Sequence, residues 1–79
     1  MRGKGMCSLF DQILLGERLR QLRKEHGMTQ EALAKQLEIR RVRYVYMENG
    51  RALPTLPILV RIAELYGVST DSLLGVKAE

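Results

Sequence analysis

The sequence predicts an all-α fold of five short helices packed on one core, and three observations carry that expectation. Gly27, Gly50, Gly67 and Gly75 each close a segment with helical apolar periodicity. Glycine is favoured there because the residue past a helix commonly turns left-handed. Asp11, Thr29, Thr55 and Ser69 stand ahead of such segments, and short polar side chains of this kind accept hydrogen bonds from the free N–H groups of a first turn. The one run rich in strand-forming residues, RRVRYVYM at 40–47, has no partner strand elsewhere. As a strand it would leave its backbone unbonded, whereas a helix bonds it internally.

The first helix is expected from about Gln12 to His26, capped by Asp11. Leu15, Leu19, Leu22 and His26 recur on one face, with Arg18, Arg20, Lys24 and Glu25 on the others. Gly16 weakens the first turn by about 1 kcal/mol relative to alanine, which leaves a start near Gly16 as the alternative. Gly27 ends it, and Met28 folds back as the apolar residue of the cap. His26, at the helix end, would in its charged form complement the dipole.

Thr29 caps a second helix, TQEALAKQL, with Glu31 favourably placed in the first turn and Leu33, Ala34 and Leu37 as its apolar stripe. In the third, Ile39, Tyr44 and Met47 point inward, while Arg40, Arg41, Val42, Val45 and Tyr46 lie outward or at the edge. Thr55 caps a fourth helix, with Pro57 in the first turn where its missing N–H does no harm and Leu56, Leu59, Ile62, Ala63 and Tyr66 facing the core. Ser69 opens a short fifth helix, TDSLL, that ends at Gly75.

Charge and composition narrow the function. The net charge is +4 over 79 residues, but residues 1–51 hold eleven Lys/Arg against six Asp/Glu, and residues 52–79 only two against three. The basic charge lies in the first two thirds, as on a chain with one side facing a polyanion, though a merely solvated basic face reads the same way. No apolar run approaches the roughly 20 residues of a membrane span, and CSLFDQILL is broken by Asp11 and lacks a cleavage site. A membrane role and a signal peptide are therefore not expected, and a cytoplasmic location is. Cys7 has no partner for an internal disulfide and reads as an incidental thiol. With one histidine there is no metal set. Ser8, Ser69 and Ser72 lack a placed base, and no glycine-rich phosphate loop exists, so neither an enzyme nor a cofactor is expected.

Two helices joined by a short turn, the second carrying outward arginines, describe a helix-turn-helix. The stretch QEALAKQLEIRRVRYVYMEN resembles the twenty-residue motif of the Cro/cI-type phage repressors, the XRE-type family. LGERLRQLRKEHGMTQ before it and ENGRALPTLPILVRIAELYGVSTDSLLG after it are similar too, so the resemblance runs from Leu14 to Gly75. It implies a phage-repressor-like DNA-binding domain at 14–75 between an extension at 1–13, partly ordered or starting the first helix, and a tail at 76–79. Four residues depart from the family: Glu38 stands where glycine is usual, Arg40 and Arg43 where small hydroxyl residues are, and Tyr44 where a smaller aliphatic is.

The resemblance implies a sequence-specific regulator of transcription, a repressor, whose third helix enters the major groove of double-stranded DNA while the second crosses the backbone. Arg41 and Val42 match the principal base-reading positions. Arginine can bond guanine O6 and N7, and valine can touch a thymine methyl. Tyr46 matches a base-contacting position, although its ring could equally cover the core edge. Gln30 matches a phosphate-binding glutamine at the start of helix two, and Asn49 and Arg51 match the phosphate-contacting loop, with Asn49 also a candidate helix cap. Arg40 and Arg43 are assigned to phosphate or base edges. Arg23 and Glu48 match a structural ion pair.

A two-fold symmetric operator and a homodimer follow from the same resemblance. Leu73, Leu74 and Val76, or the N-terminal CSLFDQIL, are the candidate dimer surfaces. Tyr44 and Tyr66 are read as core residues rather than stacking platforms. The competing reading keeps the fold but makes it a protein-interaction module, such as an antitoxin that masks a partner. A binder of RNA or of a membrane surface has only the charge in its favour.

Overall fold

The computed structural model describes residues 11–75, so Cys7, most of the 1–13 extension, and Val76 with the rest of the 76–79 tail lie outside the described residues. Five helices follow one another: α1 (Gln12–Glu25), α2 (Gln30–Leu37), α3 (Arg41–Glu48), α4 (Leu56–Tyr66) and α5 (Thr70–Leu74). Among the described residues there is no strand, and no helix is long and apolar enough to cross a membrane.

The helix starts follow the local chemistry. Asp11 accepts from the N–H groups of Ile13 and Leu14, Thr29 from Ala32, Thr55 from Ile58 and Ser69 from Ser72. The exception is α3, whose N-cap, Arg40, makes no side-chain capping bond. The stops share one device. Met28, Ile39, Arg51 and Val68 each return an N–H to the carbonyl five residues back, which needs a left-handed residue just before them. Gly27, Gly50 and Gly67 supply it at three of these places, and at the fourth Glu38 does so at φ 60°. A non-glycine residue in that region costs about 1 kcal/mol.

The core gathers Leu15 and Leu19 of α1, Leu33, Ala34 and Leu37 of α2, Tyr44 and Met47 of α3, Leu59, Ile62, Ala63 and Tyr66 of α4, and Leu73 of α5. Two expectations fail at helix ends. Leu56 does not face the core but is 75% exposed; it opens α4 on the flank of the apolar stripe, and Ile58 packs against the core instead. His26 follows the last residue of α1 and so leaves the helical wheel. Its ring is exposed and lies against Tyr66, 4.6 Å between centroids. Leu73, expected as a candidate dimer residue, is buried in its own core.

The start of α1 is at Gln12, as expected, rather than at the alternative, Gly16. The helix runs through Gly16, and the residue is buried. A Cβ there would meet the backbone carbonyls of Met47 and Glu48, with the Met47 oxygen only 2.7 Å away. The missing side chain lets α1 lie directly on the end of α3.

Candidate nucleic-acid interface

The turn Glu38-Ile39-Arg40 joins α2 to α3, and burial divides α3 into two faces. Tyr44, Met47 and Glu48 are buried, while Arg41, Val42, Arg43 and Tyr46 are exposed. Val42 and Tyr46, at 54% and 50% exposure, lie one turn apart on the side directly away from the core. Solvent therefore meets an apolar stripe flanked by arginines. Tyr46 is not part of the core edge; Tyr44 and Tyr66 are core residues.

Behind this surface stands one buried carboxylate. Glu48, 2% exposed, accepts from Arg23 twice, Nε to Oε2 at 2.6 Å and Nη2 to Oε1 at 3.3 Å. Arg23 also donates through Nη1 to the Met28 carbonyl at 2.9 Å, so the ion pair links α1, the turn after it and the last residue of α3. Burial alone would raise the Glu48 pKa, but the hydrogen bonds from Arg23 and Gln30 together with the Arg23 charge outweigh it and hold the carboxyl below its ordinary value. Burial and then the neighbouring Glu48 charge push the Tyr44 phenol above its ordinary range. By the same two causes the Tyr66 phenol is pushed up to about 12. Neither hydroxyl has a hydrogen-bond partner among the described residues. Both rings therefore remain neutral core side chains across the physiological range.

The same carboxylate meets one of the amides named from the sequence directly and is linked to the other through Arg20. Gln30 Nε2 donates to Glu48 Oε1 at 3.0 Å, so part of its donor capacity is already committed. Arg20 places Nε 3.5 Å from Glu48 Oε1 and donates Nη2 to Asn49 Oδ1 at 3.3 Å. Asn49 is also the C-cap of α3, so its two candidate roles occupy different parts of one residue. Beyond it, Gln12 Nε2 donates to the Gly50 carbonyl at 2.9 Å, which ties the loop carrying exposed Arg51 to the start of α1.

Arg40, Arg41, Arg43 and Arg51 form no ion pair among the described residues. Arg40 and Arg51 flank an eight-residue helix about 12 Å long, with Arg41 and Arg43 between them. Sequence reasoning gave Arg20 no role. Its spacing from Arg23 on α1 was visible, but its partner lies 29 residues away. Among the described residues no group of three or more His, Cys, Asp or Glu side chains is gathered to hold a metal ion.

Helix-turn-helix (HTH_3) is the family whose model matches, over residues 19–73. The chain belongs to this family. Its members of Cro/cI type are DNA-binding transcriptional regulators rather than a class of enzymes. Two relatives are an uncharacterized HTH-type transcriptional regulator of Archaeoglobus fulgidus, 38% identical over 71% of this chain and 80% of its own, and the uncharacterized regulator YobD of Bacillus subtilis, 45% identical over 76% of this chain. The match spans 54% of YobD, about half its length. Among solved structures, the P22 c2 repressor in complex with a synthetic operator is similar at a TM-score of 0.75 and 30% identity, over 81% of this chain and 97% of that one.

Proposed function

We propose that this helix-turn-helix chain binds a specific, two-fold symmetric operator as a homodimer and represses transcription from it. In this reading α3 lies in the major groove. Arg41, Val42 and Tyr46 contact base edges, and Gln30, Arg40, Arg43, Asn49 and Arg51 hold the phosphates. One observation carries it: α3 is locked from behind through Glu48 while its outward face offers uncommitted arginines around two exposed apolar side chains. A rigid helix with free donors is what base recognition in a groove about 12 Å wide requires. The P22 c2 repressor, solved on a synthetic operator, supports the repressor assignment. A homodimer would set two such helices about 34 Å apart, and work on DNA is consistent with a cytoplasmic location.

The test is selection of bound duplexes from a random pool at moderate salt, followed by measurement of variants on the enriched site. Arg41→Ala should cost about 1–3 kcal/mol on that site and flatten the preference there. Arg51→Ala should weaken all sequences alike and lessen the salt dependence. Equal losses from Arg41→Ala on enriched and random DNA would refute its base-reading role, and a pool without enrichment would remove sequence-specific binding.

The exposed Leu53, Leu56 and Val60 favour a second reading, in which the start of α4 receives another protein, as in an antitoxin. Co-purification of a different chain on that face, lost on Leu56→Glu, would support it over the operator reading.

A further inference from the structure

We propose that Arg20 is a positioning residue for DNA binding: it turns the Asn49 amide so that Nδ2 is presented to a phosphate. The inference rests on the reading of Asn49 as a phosphate contact and adds a residue to which that reading gives no part.

An asparagine amide accepts at Oδ1 and donates at Nδ2, and phosphate oxygens only accept. Asn49 can therefore bond phosphate through Nδ2 alone, and the two amide orientations are not equivalent. Arg20 decides between them. A guanidinium has five N–H donors and no acceptor, so with Nη2 3.3 Å from the amide it can bond Oδ1 but not Nδ2. Turning the amide over would set donor against donor at Arg20 and acceptor against acceptor at the phosphate. With Oδ1 held, Nδ2 occupies the other arm and is free to donate.

Arg20 is itself held. Its Nε lies 3.5 Å from Glu48 Oε1, the oxygen that also accepts from Gln30 at 3.0 Å. The flat guanidinium thus spans the buried carboxylate on one side and the Asn49 carbonyl on the other. Orientation passes from the Arg23–Glu48 pair through Arg20 to an exposed amide at the end of α3. An amide oriented before DNA arrives loses less rotational freedom on binding.

The experiment is a double-mutant cycle on the full chain with Arg20→Met, Asn49→Ala and the double variant. Phosphate contacts are indifferent to sequence, so the probe is a mixed-sequence duplex at low salt, and thermal midpoints are measured in parallel. Asn49→Ala is expected to weaken binding about tenfold, as for the loss of one hydrogen bond to a charged group. Arg20→Met is expected to weaken it by a similar factor with little change in the slope of log Kd against log salt. The double variant should be no weaker than the poorer single, because the Asn49 contact depends on Arg20. The thermal midpoints should keep all three variants folded at the binding temperature, so that the losses read binding rather than unfolding.

Independent losses that multiply to about a hundredfold would overturn the proposal. So would a slope reduced by about one for Arg20→Met, since each neutralised phosphate contributes about 0.9 and Arg20 would then be acting on phosphate itself. If Asn49→Ala leaves affinity unchanged, the parent reading of Asn49 fails and the inference with it. An Asn49→Ala loss that persists undiminished in the Arg20→Met background sinks the inference alone.

Discussion

Replacing Gly16 by alanine sets two physical effects against each other, and the structure decides which wins. Alanine is better than glycine inside a helix by about 1 kcal/mol, so propensity alone expects a more stable protein. The added Cβ, however, would stand 2.7 Å from the Met47 carbonyl oxygen and 2.7 Å from the Glu48 carbonyl carbon. A relaxed carbon–oxygen contact is about 3.3 Å or longer, so α1 must lift by roughly 0.6 Å to clear the Met47 oxygen, and by more to clear the Glu48 oxygen, which is nearer still. These are backbone atoms and cannot swing aside as a side-chain tip would. Overfilling a packed contact costs about 1–3 kcal/mol, and the same helix face carries Leu15, Leu19 and the Arg23–Glu48 pair. Because the clash is with backbone on both sides, the cost falls in the upper part of that range, about 2–3 kcal/mol, and after the propensity gain a net loss of about 1–2 kcal/mol remains. For a domain of this size that lowers the thermal midpoint by about 5–15 °C. Unfolding followed by circular dichroism measures it, with Gly27→Ala as the comparison: φ is +66° there but nothing lies within 4 Å, so only the backbone cost of about 1 kcal/mol applies. A Gly16→Ala midpoint equal to or above the parent's would refute the packing argument.

Other substitutions separate stability from binding. Glu38→Gly removes the left-handed strain at φ 60° and should stabilise by up to about 1 kcal/mol, less the added freedom of the unfolded chain. A lowered midpoint in urea or thermal unfolding would mean that the Glu38 side chain contributes more than the strain costs. Arg40→Ser supplies the side-chain cap that α3 lacks and should gain about 1 kcal/mol of stability while reducing the salt slope of DNA binding by about one. Unchanged affinity and slope would remove Arg40 from the phosphate contacts. Because the Glu48 pKa is depressed in the folded state, its stabilising contribution is complete above the ordinary value of 4.5 and drains away as the pH falls through the lower folded value. Urea midpoints at stepped acid pH should show Glu48→Gln with a shallower decline than the parent as the pH falls from 4.5 towards the lower folded value, and parallel curves over that interval would contradict the assignment.

The segmentation of the chain is legible without its fold. Asp11, Thr29, Thr55 and Ser69 mark the true starts, and Gly27, Gly50, Gly67 and Gly75 the true stops, because capping involves only residues a few positions apart. The same locality made the apolar faces of α2 and α3 legible, and with them the outward placement of Arg41 and Val42, whereas Tyr46 stayed open between the groove and the core edge. The Arg23–Glu48 pair was legible only through resemblance, since nothing local points one residue at the other. Helix ends were read less well: Leu56 and His26 sit where periodicity stops being a guide, and both proved exposed.

Contacts between distant segments come from the packing of the helices alone. Gln30 meets a carboxylate 18 residues away and Arg20 an amide 29 residues away. Gly16, which local propensity counts as a weakness, is where α1 lies against the backbone carbonyls of Met47 and Glu48. Helix periodicity assigns a side to each residue but not the partner it meets on that side. The partner is set by how the helices cross, and here that crossing aims the arginines of RRVRYVYMENG outward and orients the amide behind them.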